Sequence, residues 1–142
     1  MKLVNKKFND LKLYKANLYS YNRGYLREIL KKKNLQKKLI FHYFAKSKKN
    51  VFRGFHFRRR NQQIKLVNVL EGKIIDICID VRKNSPAFGK SFKILMSAKN
   101  KKSILIPKGF AHDYLSLNNT NIGYFQNSTY RDKNQDKYIL CN

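Results

Sequence analysis

The stretch Ile64-Lys65-Leu66-Val67-Asn68-Val69-Leu70-Glu71-Gly72-Lys73-Ile74-Ile75-Asp76-Ile77-Cys78-Ile79-Asp80-Val81 decides the fold class. Residues 64–70 and 73–81 are apolar, β-branched runs joined at Glu71-Gly72, a pattern that predicts an antiparallel hairpin. Alternation along an extended chain puts Lys65, Val67 and Val69 on one face and Asp76, Cys78 and Asp80 on another. A lysine and two carboxylates within apolar strands need partners or a function, because burying an unpaired charge is costly.

The flanking sequence continues in the same manner. Downstream, residues 92–96, 103–106, 114–117 and 122–126 read as short strands separated by turns rich in Asn, Gly and Pro. Upstream, 39–45 is an aromatic and apolar strand. Residues 11–14 read as a short edge strand within an N-terminal arm, 1–20, which packs on something else and is a candidate for contact with a partner subunit. Leu26, Ile29 and Leu30 have helical spacing, so one short helix is expected near residues 27–38, with its lysines solvated. No repeat or linker divides the chain, and residues 1–142 are expected to form one domain. Many short strands with at most one helix predict an all-β sandwich or barrel.

Composition narrows the function classes. A chain of 142 residues can bury a real core without covalent staples. Cys78 and Cys141 have no metal-site spacing, so reduced thiols and a cytoplasmic protein are expected. No apolar run approaches the roughly 20 residues of a membrane span, and the N-terminus lacks a signal-peptide core. The net charge of +24 attracts polyanions. It is scattered over many short clusters and lacks the interleaved aromatic and basic pattern of an RNA reader, so nucleic-acid binding ranks last among the functions considered.

The chemistry centres on Phe52-Arg53-Gly54-Phe55-His56-Phe57. Alternation there would put Gly54, His56 and Arg58 on one face and Arg53, Phe55 and Phe57 on the other. Alone, His56 reads as a structural residue of a half-buried strand and Arg53 as a surface cation.

The order of motifs changes that reading. Arg53-Gly54-Phe55-His56-Phe57, Lys65-Leu66-Val67, Asp80-Val81-Arg82 with Ser85-Pro86-Ala87-Phe88-Gly89, and Pro107-Lys108-Gly109-Phe110-Ala111-His112 together resemble the dTDP-4-dehydrorhamnose 3,5-epimerase family. Arg23-Gly24 through Glu28 resembles the family's N-terminal strand. The resemblance spans about residues 20 to 131 and implies a cupin-type jelly roll, a homodimer whose N-terminal strands reach the partner's site, a nucleotide-diphosphate sugar as substrate, and neither metal nor other cofactor. The implied reaction is epimerisation beside the 4-keto group of a nucleotide-linked 6-deoxy-sugar.

Such a reaction needs a base near the carbon-bound proton, a donor for the enolate oxygen and an acid on the opposite face. The resemblance implies His56 as base, Lys65 as donor and Tyr124 as acid. It implies Arg53 and His112 as contacts to pyrophosphate or sugar, Tyr130 as a stacking residue, and Arg23 and Glu28 of the partner subunit as contacts to the nucleotide. The family's histidine is held by an aspartate from a C-terminal segment that has no counterpart up to Asn142. Asp76 is therefore expected as a substitute, with Asp132 and Asp136 as alternatives. The family's glutamine and asparagine before the Arg-Gly motif are replaced within Ile40-Phe41-His42-Tyr43-Phe44. A non-catalytic nucleotide-sugar-binding relative is the second reading.

Overall fold

The structure is a computed structural model that describes residues 1–8, 10–31 and 39–126, together with the backbone of 136–139. Its strands are β1 Lys2–Lys7, β2 Leu11–Lys15, β3 Leu18–Tyr21, β4 Gly24–Arg27, β5 Phe41–Ser47, β6 Phe55–Arg58, β7 Lys65–Glu71, β8 Lys73–Asp80, β9 Ser91–Ser97, β10 Lys102–Ile106, β11 Phe110–Ser116, β12 Thr120–Gln126 and β13 Asp136–Ile139. A six-stranded sheet has the order β1-β2-β10-β7-β12-β5 and a five-stranded sheet the order β13-β6-β11-β8-β9, while β3 and β4 pair separately. All strand pairings are antiparallel.

The core forms where the apolar faces of the two large sheets meet. Val67, Val69, Ile104, Ile106 and Ile122 come from one sheet, and Ile74, Cys78, Met96, Phe110 and Tyr114 from the other. The alternation in β8 is complete, with Ile74, Asp76, Cys78 and Asp80 buried and the intervening residues partly exposed. Each side chain removed from water there contributes on the order of 1.5–3 kcal/mol if apolar. The two aspartates need specific partners.

Two expectations are corrected. Residues 64–81 form two strands but not a hairpin, because β7 pairs with β10 and β12 whereas β8 pairs with β11 and β9. Gly72 alone separates Glu71 from Lys73, and the tightest common hairpins use two loop residues. At φ +78° it turns the chain from one sheet to the other. Residues 11–14 are not an edge strand either: β2 lies between β1 and β10, with Leu11 and Leu13 in the core.

The expected helix is not found among the described residues. Arg27 ends β4, residues 28–31 have no regular structure, and 32–38 lie outside the described residues. Among the described residues no helix is long and apolar enough to cross a membrane.

The β3–β4 hairpin is tied down at its base. Arg27 Nη1 donates to Val69 O at 2.9 Å. Glu28 accepts from the Met1 ammonium at 2.7 Å and from Asn17 Nδ2 at 2.8 Å. The ammonium hydrogen bond, helped by Lys31, lowers the Glu28 carboxyl to about 2.

Candidate active site

A cavity of about 330 Å³ opens between the large sheets. The six-stranded sheet lines it with Phe41 and Tyr43 of β5, Lys65 of β7, and Tyr124 and Gln126 of β12. Register explains this wall. Gln126 pairs with Phe41 and Lys65 on its two sides, and one step along Tyr124 pairs with Tyr43 and Val67, so inward side chains stand in rows. The five-stranded sheet contributes His56 and Arg58 of β6 with His112 and Asp113 of β11.

Arg53 lines the same cavity as His56, although simple alternation would separate them. The cause is Gly54, whose φ of +80° lies in the region open to glycine and breaks the alternation before β6 begins. The Arg53 guanidinium is held by Ser47 Oγ at 3.2 Å and Lys46 O at 3.2 Å. Ser47 in turn bonds Tyr114 OH at 2.8 Å.

Among the described residues, the carboxylate against His56 is that of Asp113, with Nδ1 and Oδ2 2.6 Å apart. Asp76, expected for that position, bonds His112 Nε2 at 2.9 Å instead. The register accounts for this: His112 stands opposite Cys78 on β8, two residues from Asp76 on the same face. Asp132 lies outside the described residues, and of Asp136 only the backbone is described, pairing with Arg58.

Asp80 has a purely structural partner. Arg82 grips it through Nε at 2.9 Å and Nη2 at 2.6 Å, and Ser85 Oγ donates to it at 2.7 Å. Burial would raise the Asp80 carboxyl, yet these hydrogen bonds outweigh it and hold the group below its ordinary value.

The opposite wall is aromatic. Tyr43 stacks on Tyr124 with ring centroids 4.9 Å apart and planes 11° apart, and Gln126 Nε2 donates to Tyr43 OH at 3.0 Å. His112 meets Tyr124 edge-on at 6.4 Å, bridging the two walls. Burial pushes the Tyr43 hydroxyl up to about 12 and the Tyr124 hydroxyl well above its ordinary value. Both remain protonated at neutral pH.

Asp76, Cys78 and His112 offer metal-ligand atoms within 4.8 Å of one another. Burial, followed by the Asp76 carboxylate, raises the Cys78 thiol well above its ordinary value, and Sγ donates to Asp76 Oδ1 at 3.6 Å. A metal would require the thiolate, the form this environment disfavours.

Of the site residues expected from sequence, His56, Lys65, Tyr124, Arg53 and His112 share one cavity. Arg23, exposed in the β3–β4 turn, and Glu28 do not line it. Tyr130 lies outside the described residues. Sequence reasoning missed Asp113, Tyr43, Phe41 and Gln126 as site residues. An aspartate directly after His112 in an apolar strand was the available signal for the first, and the i, i+2 spacing of Phe41 and Tyr43 for the aromatic wall.

A family profile described as dTDP-4-dehydrorhamnose 3,5-epimerase matches residues 5–142. The Salmonella typhimurium protein named dTDP-4-dehydrorhamnose 3,5-epimerase is 36% identical over 124 residues, covering 87% of this chain and 66% of its own length. The chain thus spans just under two thirds of that relative. The crystal structure of the Bacillus anthracis dTDP-4-dehydrorhamnose 3,5-epimerase, with TDP and PPi bound, superposes with a TM-score of 0.92 at 31% identity, over 99% of this chain and 85% of that one. That of the Legionella pneumophila dTDP-6-deoxy-D-glucose-3,5-epimerase, in complex with dTDP-4-keto-L-rhamnose, gives 0.91 at 30% identity, over 97% and 77%.

Proposed function

The chain belongs to the dTDP-4-dehydrorhamnose 3,5-epimerase family, and from that premise we propose that it epimerises a nucleotide-linked 4-keto-6-deoxy-sugar at C3, C5 or both. The observation that carries this reading is one cavity with His56 on one sheet and Tyr124 on the other. The reaction moves a proton and no net electrons. His56 removes the proton from the carbon beside the ketone, and Lys65 stabilises the enolate oxygen. Tyr124 returns a proton from the opposite wall, which inverts the carbon.

The cavity of about 330 Å³ is near the lower limit for ligand pockets, roughly 300–1,000 Å³. It suits a sugar ring, with the diphosphate directed to Arg53 and Arg58, whose planar forks match phosphate oxygens. His112, held by Asp76, orients the sugar from the base's side. Tyr130 stacks on the nucleotide base in this reading.

The active form is a homodimer. The β3–β4 hairpin exposes Tyr19, Tyr21, Tyr25 and Leu26, and Arg23 at its turn is free of its own cavity. Arg23 then serves the partner's nucleotide, whereas Glu28 fixes the base of the hairpin through Met1 and Asn17.

The test is exchange of solvent deuterium into a 4-keto-6-deoxy-sugar nucleotide. The wild-type chain should label C3 or C5, and His56→Ala should lose the exchange while still binding nucleotide. Binding without exchange in the wild type would leave a non-catalytic carrier as the function.

A further inference from the structure

We propose that Asp113 is the positioning residue for His56, holding the proton on Nδ1 so that Nε2 carries the lone pair that acts as base. The inference rests on the reading of His56 as base and deepens it by assigning the atom that accepts the proton and the residue that determines it. The resemblance placed this duty on an aspartate of a C-terminal segment; the geometry assigns it to β11.

The carboxylate is fixed at both oxygens. Oδ2 meets His56 Nδ1 at 2.6 Å, and Oδ1 accepts the Tyr114 backbone N–H at 2.8 Å. The side chain of Asp113 is 3% exposed and the His56 ring 30%, so the contact is sheltered on the acid's side and open on the ring's. An ionised carboxylate can only accept. A neutral imidazole beside it therefore carries its hydrogen on Nδ1, and the other nitrogen is left basic. The backbone separation is also set, because β6 and β11 are paired with His56 opposite His112.

Strand order gives this arrangement its logic. β11 lies between β6 and β8 in the sheet. Its neighbouring residues 112 and 113 turn to opposite sides: His112 takes the Asp76 carboxylate of β8, while Asp113 gives its carboxylate to His56 of β6. Two imidazole–carboxylate pairs are thus built around one strand. An aspartate at position 113 supplies the second pair from the strand next to β6.

The experiment combines tautomer spectroscopy with kinetics. In wild-type protein labelled with ¹⁵N-histidine and observed with the imidazole neutral, His56 should have its hydrogen on Nδ1. Finding it on Nε2 overturns the proposal whatever any variant does. Asp113→Asn keeps the shape, but its amide can donate to Nδ1 and favour the other tautomer. It should lower kcat by about 10²–10⁴-fold, change KM less than about threefold, and reduce the Nδ1–H signature. Asp113→Glu, which keeps the carboxylate, should recover part of the loss. A wild-type kcat in Asp113→Asn, or an equal loss of nucleotide-sugar binding and turnover in both variants, overturns the positioning role. His56→Ala run in parallel separates the two ideas: exchange that persists in it refutes the base and this inference together. Exchange lost in it but intact in Asp113→Asn refutes this inference alone.

Discussion

Tyr124 has to return the proton that the proposed inversion removes, and its surroundings fit that task. Burial raises its hydroxyl well above the ordinary value, so the acid is present in protonated form throughout the neutral range. An enolate carbon is a far stronger base than a phenolate, so a raised pKa does not prevent the transfer. Tyr124→Phe keeps the ring stacked on Tyr43 and removes only the donor. It should preserve deuterium exchange from the face served by His56 while lowering formation of inverted product by about 10²–10⁴-fold. Following both in one NMR time course checks this, and undiminished inversion would remove Tyr124 from the role. At this scale the residues that share the cavity were partly legible, since His56, Lys65, His112 and Tyr124 stand out by type and order. Asp113 was not. Which carboxylate reaches an imidazole depends on strand register and on which way two adjacent side chains turn, and neither is written in residue spacing.

The run from Ile64 to Val81 illustrates the same limit for elements. Its alternation correctly marked two strands and the buried face of β8, because burial on one face imposes a period of two. Partner choice was misread, because a glycine between two apolar runs signals both a hairpin and a corner between sheets. The space around Gly72 distinguishes them. A Cβ there would stand 2.3 Å from Asn119 O and 2.7 Å from Asn118 Oδ1, in the loop that also accepts Lys73 N–H through Asn118. The backbone oxygen cannot step aside without moving the β11–β12 turn. Gly72→Ala should therefore destabilise by about 1–3 kcal/mol from its positive φ alone, a fall in Tm of roughly 3–10 °C. Thermal unfolding measures it. A change within error would mean that the corner adapts and that Gly72 does not secure the crossing.

Charge and assembly belong to the whole molecule. The sequence has 8 acidic residues against 32 basic ones, and the structure commits the buried acids to particular partners: Asp76 to His112, Asp80 to Arg82 and Asp113 to His56. Of the cations among the described residues, Arg53, Arg58 and Lys65 stand on the cavity wall, where in the proposed reaction the two arginines meet the diphosphate. Arg23 is a cation of a different kind, because it lies at the turn of a hairpin that pairs outside the two large sheets and presents exposed tyrosines. If Arg23 serves the partner's site, each active site of the proposed homodimer draws residues from two chains, and that composition can be counted. Arg23→Ala and His56→Ala expressed separately should each be impaired at low substrate concentration, the second completely. Expressed together in equal amounts, half of the dimers are mixed, and one site in each mixed dimer has both wild-type residues. Activity should then rise well above the average of the separate variants, towards about a quarter of the wild-type level. Activity equal to that average would mean that Arg23 and His56 act within one chain, and the hairpin would have to meet the nucleotide of its own subunit.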